Sequence, residues 1–122
     1  MDKAQALHAF WDGFGMKAYD ENTVAENATF PRITYSVSTD SIGNLVILSA
    51  SLWYNTRSWE DISKKADEIA AAIGYGGKIL PVDGGYVWIM RGSPFAQRMA
   101  EPSDNMVRRI ALNINAEFLT EN

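Results

Sequence analysis

The residues that could perform acid–base chemistry are few in this sequence. His8 is the only histidine, and Asp12 follows it one helical turn later, a spacing at which a carboxylate can orient an imidazole. A nucleophilic site needs a third group, but no serine or cysteine stands in the sequence as an obvious nucleophile. We therefore predict a half-exposed histidine beside a surface aspartate, with no catalytic role for His8.

Two acidic pairs and a glycine cluster do not supply a site either. Glu60-Asp61 and Asp67-Glu68 are neighbours on a predicted helix, so their side chains diverge by about 100° instead of converging on a metal or a sugar. The glycines at 74–77 follow that helix, whereas a phosphate-binding loop precedes one. The chain also has no cysteine for a thiolate site, so none of these features indicates a catalytic or metal-binding site.

The composition indicates a single soluble domain over residues 1–122. The chain is 47% hydrophobic and 21% charged, which are ordinary globular values, and it has no apolar run long enough to cross a membrane. The first ten residues contain no secretory signal, so we expect synthesis in the cytoplasm and no membrane partner. The net charge of −4 argues against specific nucleic-acid binding, which needs an excess of lysine and arginine on one face.

Charge is distributed unevenly along the chain. Residues 12–26 contain four acidic side chains and one lysine, whereas residues 78–109 contain five basic side chains and three acidic ones. Two explanations stay open at this point. The charges are either solvated surface groups that happen to segregate, or the complementary ends of a self-associating protein.

Hydrophobic periodicity predicts seven elements. Amphipathic helices are expected over 2–14 and 58–73, because apolar residues recur there at three- and four-residue spacing. Alternating residues predict five strands, over 30–39, 44–55, 78–82, 86–91 and 107–118. The expected fold is α+β in the order α-β-β-α-β-β-β, with about five mostly antiparallel strands and two helices packed on one face. Surface connections are expected over 16–29 and 92–105.

The connection predicted at 92–105 has an unusual composition. Its glycine and prolines disfavour regular structure, yet it follows Arg91 and contains Phe95, Arg98 and Met99. Such a segment can dock apolar anchors and pair its arginines with a neighbour's carboxylates. The candidate carboxylates are Asp20, Glu21 and Glu26. We predict that the segment is mobile in an isolated subunit and ordered in an assembly; the alternative is that its apolar residues close the core of their own chain.

Two of the predicted strands are apolar on both faces. Leu45, Ile47 and Trp53 alternate with other apolar residues in 44–55, and Tyr86, Trp88 and Met90 do so in 86–91. Because two helices cover one face only, the other face needs loops or a second subunit as its cover. We favour self-association through Trp53 and Trp88. A competing possibility is a small-ligand or enzyme pocket built by these two tryptophans and Tyr86.

Several short motifs, in order along almost the whole chain, resemble a known family. They are FPRITY at 30–35, LWY at 52–54, SW at 58–59, DEI at 67–69, WIMRGSPFAQR at 88–98, and a closing strand from RRI at 108–110 to EF at 117–118. In this order they resemble the tail terminator proteins of long non-contractile-tailed bacteriophages and prophages of Gram-positive bacteria. The stretch 88–98 is the most specific of them.

The resemblance implies a structural function. Tail terminators assemble as a hexameric ring on the head-proximal end of the tail tube, stop its polymerisation and present the surface that joins the head. The expected partners are further copies of the chain, the major tail tube protein and a head-completion or neck protein, and the expected location is the virion tail. No enzymatic activity, metal or cofactor belongs to that family. A head-completion or neck connector protein is the alternative, and gene order would separate the two.

Overall fold

The computed structural model describes residues 1–101 and 105–122, which form two helices and one six-stranded sheet. The elements in chain order are α1 (Lys3–Trp11), β1 (Lys17–Asp20), β2 (Arg32–Tyr35), β3 (Leu45–Asn55), α2 (Glu60–Ile73), β4 (Lys78–Val82), β5 (Gly85–Met99) and β6 (Val107–Thr120). The strands lie in the order β1-β2-β3-β6-β5-β4, and all neighbours are antiparallel except β1 and β2. The predicted α+β class and mostly antiparallel sheet are confirmed, whereas the predicted five strands and their order are wrong.

β1 is the strand that the sequence prediction missed. It pairs with β2 in parallel over four residues, from Lys17 opposite Arg32 to Asp20 opposite Tyr35. Only Ala18 of these four is buried, so the strand lacks the alternating apolar pattern by which a strand is recognised. Asp12 holds it beside α1, because its Oδ1 accepts the Ala18 N–H at 3.1 Å. The predicted surface connection over 16–29 is therefore wrong in its first part.

β5 continues through most of the segment predicted as an irregular loop. Its pairing with β6 runs to Arg91, is irregular over 92–95, and resumes from Ala96 to Met99. A Cβ on Gly92 would lie 2.8 Å from the Asn113 carbonyl oxygen, so the glycine permits close approach of the two strands. Glycine and proline thus fit inside a strand irregularity here instead of ending the strand. Residues 102–104 of the predicted loop lie outside the described residues.

The second helix begins later than the predicted start at 58. Ser58 Oγ accepts the Glu60 N–H at 3.1 Å, and Trp59 occupies the cap position without a side-chain hydrogen bond to the helix. The helix ends at Ile73, where Gly74 adopts a positive φ of 75° and donates its N–H to the Ala70 carbonyl. The Trp59 ring lies beside Arg98 of β5 and Arg108 of β6.

The core lies between both helices and one face of the sheet. The alternation expected for a sheet covered on one side is most regular in β6, where every second residue from Ile110 to Thr120 is buried. The largest buried side chains are Leu7 and Trp11 of α1, Ile62, Ile69 and Ile73 of α2, and Ile33, Leu52, Val87, Ile89, Leu112, Ile114 and Phe118 of the strands. α1 contacts the two edge strands, β1 and β4, whereas α2 packs on β3, β6 and β5. The sheet therefore curls round α1.

Candidate interaction surface

The face of the sheet that the helices leave uncovered carries an apolar patch. It has two parts, Leu45 and Ile47 of β3 and Ile79, Tyr86, Trp88 and Met90 of β4 and β5, and the strand register places Asn115 and Glu117 of β6 between them. Leu45, Ile47, Ile79 and Tyr86 are 59%, 76%, 49% and 52% exposed, and the other two are partly exposed. The segment 92–99 cannot fold over this face, because it belongs to the sheet itself. The predicted two-sided apolar character of the strands is confirmed, and this face is open in the single chain.

A second feature of the same face is a row of five side chains across five strands. Strand register places Lys17 beside Arg32, Arg32 beside Trp53, Trp53 beside Arg109, and Arg109 beside Met99. We call this set the basic row. Trp53 and Met99, predicted as interface residues, thus belong to one continuous strip.

Trp53 is fixed at the centre of the basic row. Its indole N–H donates to Thr34 Oγ1 at 2.9 Å, which sets the orientation of the ring. The guanidinium carbons of Arg109 and Arg32 lie 4.8 Å and 5.8 Å from its centroid, and that of Arg32 also lies 4.4 Å from the Phe30 ring. Contacts of this kind are attractive by about 0.5–1 kcal/mol at exposed positions.

The two arginines of the row differ in how their charge is balanced. Arg109 Nη1 lies 3.6 Å from Glu101 Oε1, and its Nε donates to Ser51 Oγ at 3.0 Å. Arg32 forms no ion pair with any described residue, and its buried Nε has no hydrogen-bond partner among them. The row therefore holds an arginine whose charge is balanced by no carboxylate in 1–101 or 105–122.

Further arginines lie at the same end of the sheet on its helix side. The guanidinium carbons of Arg98 and Arg108 lie 4.7 Å and 5.3 Å from the Trp59 ring. Arg108 also donates to the Arg57 carbonyl at 3.1 Å. The exposed Arg98, predicted at an interface, is thus held by a tryptophan of its own chain and lies apart from the apolar patch.

Charge separates along the strands into two ends. The basic end contains Arg32, Arg57, Arg98, Arg108 and Arg109, together with Glu60, Asp61 and Glu101. The opposite end contains Asp40, Asp83, Glu117 and Glu121, together with Lys3 and the terminal amine, whereas Asp20 and Glu21 lie at the level of Tyr35 and Ala50, between the two ends. The uneven charge in the sequence therefore becomes a polarity along the sheet.

Three predicted interface residues meet in an open groove of about 490 Å³. They are Trp88, Arg91 and Phe95. The guanidinium carbon of Arg91 lies 4.6 Å from the ring of the fully exposed Tyr75, and the Trp88 indole N–H donates to the Gly76 carbonyl at 2.9 Å. Phe95 packs partly against the core of its own chain, which is the alternative that the sequence had left open for it.

The predicted carboxylate partners do not reach the predicted arginines within one chain. Asp20 accepts hydrogen bonds from the backbone and side chain of Asn22, and Glu21 and Glu26 are exposed. No ion pair joins any of the three to a described arginine. Arg32, Trp59 and Tyr75 were missed as site candidates. The motif FPRITY contains Arg32, and the position of this arginine between Phe30 and Tyr35 was the sequence signal by which it could have been found.

The residues considered for chemistry are arranged differently from the prediction. His8 Nδ1 lies 2.7 Å from Tyr35 Oη, while Asp12 binds the β1 backbone, so the imidazole is not oriented by the aspartate. Burial, followed by the carboxylates of Asp20 and Asp12, raises the pKa of the Tyr35 phenol. Within 1–101 and 105–122, no group of three or more His, Asp or Glu side chains could hold a metal ion.

The competing pocket of Trp53, Trp88 and Tyr86 is not formed. Trp53 aligns with Arg109 and Trp88 with Glu117, eight residues further along β6, which corresponds to roughly 26 Å along the strand. The two tryptophans therefore belong to different regions of the open face. Each has its own polar partner, Thr34 for Trp53 and Gly76 for Trp88.

Comparison with known protein families and curated proteins found no match. No protein-family model matches the chain, and no curated protein matches it. No helix in the described part of the chain is long and apolar enough to span a membrane. The resemblance to tail terminators therefore rests on the sequence motifs.

Proposed function

We propose that this chain is a structural tail terminator, which forms a ring on the head-proximal end of a phage tail tube, stops tail polymerisation and provides the head-joining surface. The observation that carries the proposal is the exposed apolar patch on the helix-free face of the sheet. Burying one such side chain contributes about 1.5–3 kcal/mol, so contact through the patch gives a strong drive to associate. The resemblance of the sequence motifs to tail terminators implies the kind of assembly, which is a ring of six copies in the virion tail.

The polarity of charge along the sheet favours a ring over a symmetric pair. A ring requires that two different surfaces of each subunit meet, one on either side. A basic end and an acidic end on the same subunit supply such unlike surfaces. Like charges would meet in many of the two-fold arrangements, which would oppose them.

The residues proposed at subunit, tube or neck contacts fall into three groups. Trp88, Arg91 and Phe95 line the groove, Trp53 and Met99 lie in the basic row, and Arg98 lies on the helix side of the basic end. Their proposed acidic partners on a neighbouring subunit are Asp20, Glu21 and Glu26. The other proposed partners are the major tail tube protein and a head-completion or neck protein, with no membrane or specific nucleic-acid binding.

The test of the function is deletion of the gene in the phage or prophage that encodes the chain. A tail terminator leaves tails of uncontrolled length that do not join heads, and the wild-type gene supplied in trans restores tail length and joining. Tail lengths are measured by electron microscopy of induced lysates. Tails of normal length after deletion would contradict the proposal.

The second candidate is a head-completion or neck connector protein of the same particle. A small ring-forming protein with two unlike ends would also fit between head and tail. The same deletion separates the two, because loss of a head-completion protein gives normal-length tails beside empty or unfilled heads. Gene order is an independent check, since a terminator gene is expected just before the gene of the tail tube protein.

A further inference from the structure

We propose that the basic row is a docking site for the acidic segment of a second copy of the chain, defined as Asp20, Glu21 and Glu26, with one of these carboxylates bound by Arg32. The inference rests on the proposed function, because it assigns a subunit contact in the same ring.

The uncompensated charge of Arg32 is the first step. The side chain is partly buried, its Nε is buried without a hydrogen-bond partner among the described residues, and its near neighbours are the rings of Phe30 and Trp53. A buried N–H without an acceptor is unfavourable. A carboxylate supplied from outside the chain would bring both an acceptor and a counter-charge to this guanidinium when the assembly forms.

The second step is the way in which the guanidinium is presented. Aromatic rings hold it, and one of those rings is itself held by the hydrogen bond from Trp53 to Thr34. An arginine kept in one orientation offers a planar pair of donors that matches the two oxygens of a carboxylate. Arg109 already has Glu101 as its counter-ion, and the exposed Lys17 adds a further positive charge beside Arg32.

The third step identifies the occupant by charge complementarity. The acidic segment carries three carboxylates, and the sequence has no lysine or arginine between Lys17 and Arg32 to balance them. Residues 21–27 are all exposed, and the three carboxylates form no ion pair with described residues. In one chain, Asp20 lies at the opposite end of β2 from Arg32. Since no ion pair among the described residues joins the two charged features within one chain, we place their contact between copies.

A charge-swap experiment tests the contact. Arg32→Glu and the double variant Glu21→Lys/Glu26→Lys are each studied alone and as an equimolar mixture, by light scattering and electron microscopy. Each variant alone is expected to lose self-association by roughly 30-fold or more, because like charges then face each other. The mixture is expected to regain wild-type assembly, since each reversed site meets a reversed partner in an alternating ring.

Two control variants separate docking from folding. Lys78→Glu makes the same charge reversal at an exposed position of β4, the other edge strand and outside both charged ends, and it is expected to assemble as the wild type does. Arg32→Met removes the unpartnered Nε–H together with the cation contacts to Phe30 and Trp53, so the urea midpoint of the isolated subunit is expected to stay close to that of the wild type while association is lost. A purely structural arginine would show the reverse pattern, with a lowered midpoint.

Several results would overturn the docking proposal. The first is a wild type that stays monomeric at every concentration. The others are an Arg32→Glu variant that assembles normally and a mixture that does not reassemble. The proposed function is judged separately. If deletion gives tails of uncontrolled length and Arg32→Glu complements fully, the function stands and this contact does not.

Discussion

Trp53 donates its indole N–H to Thr34 Oγ1 at 2.9 Å, across the β2–β3 pair and on the face that the helices leave open. The bond fixes the ring that contacts both Arg32 and Arg109. A hydroxyl that is itself buried therefore controls the position of two surface cations. The basic row is consequently organised by a neutral hydrogen bond at its centre.

Replacing Thr34 by valine tests this organisation. Valine fills nearly the same volume but leaves the Trp53 N–H without its acceptor, so we expect a loss of about 1 kcal/mol in the free energy of unfolding. Association should weaken as well, because the ring no longer holds Arg32 in one orientation. Urea unfolding and light scattering measure the two effects. Thr34→Ser, which keeps the hydroxyl, is the matched control, and equal behaviour of the two variants would contradict the role of the bond.

The apolar patch gives a second prediction. Ile47 is 76% exposed in the single chain, so Ile47→Ser should change the free energy of unfolding by no more than about 0.5 kcal/mol. If the patch is a subunit contact, the same variant should weaken ring formation and fail to restore tail length in the deletion phage. Ile42→Ser is the control, because Ile42 is 64% exposed and lies in the β2–β3 connection, outside the patch. Normal rings from Ile47→Ser would remove this residue from the contact.

The fold could be predicted from the sequence wherever burial imposed a regular period. α2 and the strands over 44–55 and 78–82 were placed closely, because apolar residues repeat there with the period of the element. β1 could not be found, since four residues with one buried side chain carry too little pattern. The continuation of β5 was missed because glycine and proline usually interrupt a strand. Here Gly92 lies close to the Asn113 backbone, and the Asn113 side-chain amide donates a hydrogen bond to the Pro94 carbonyl.

The candidate site was predictable in its residue types but not in its arrangement. Trp88, Arg91 and Phe95 are close in sequence and remain close in the groove. The basic row joins residues of five strands, and its membership depends on strand order and register, which composition does not reveal. The aromatic contacts of the arginines depend on the same cross-strand geometry.

Gly92 offers a prediction about the irregular part of β5. An added Cβ would meet the Asn113 carbonyl oxygen at 2.8 Å, and backbone atoms cannot move aside as a flexible side chain can. We expect Gly92→Ala to lower the free energy of unfolding by about 1–3 kcal/mol, as overpacking generally does. Gly76→Ala is the control, because a Cβ there meets nothing within 4 Å. Equal urea midpoints for the two variants would contradict the close approach.

Alkaline pH should weaken the fold through two tyrosines. Burial raises the pKa of Tyr35, helped by Asp20 and Asp12, and burial raises the pKa of Tyr54, helped by Asp61 and Glu68. Each phenol thus has a higher pKa in the folded chain than the ordinary value of 10.0. Above that value the unfolded chain releases protons that the folded chain retains, so unfolding becomes more favourable as pH rises.

The contribution of these phenols is therefore complete below pH 10 and is lost as pH rises through their folded pKa values. We expect Tyr35→Phe and Tyr54→Phe to show a shallower fall in the free energy of unfolding than the wild type between about pH 9 and pH 11. Lysines titrate in the same range, so the comparison is between variants. Tyr75→Phe is the control, because Tyr75 is fully exposed. Urea unfolding at each pH measures the slopes, and a Tyr35→Phe slope equal to that of the wild type would show that burial of this phenol does not govern the alkaline limit.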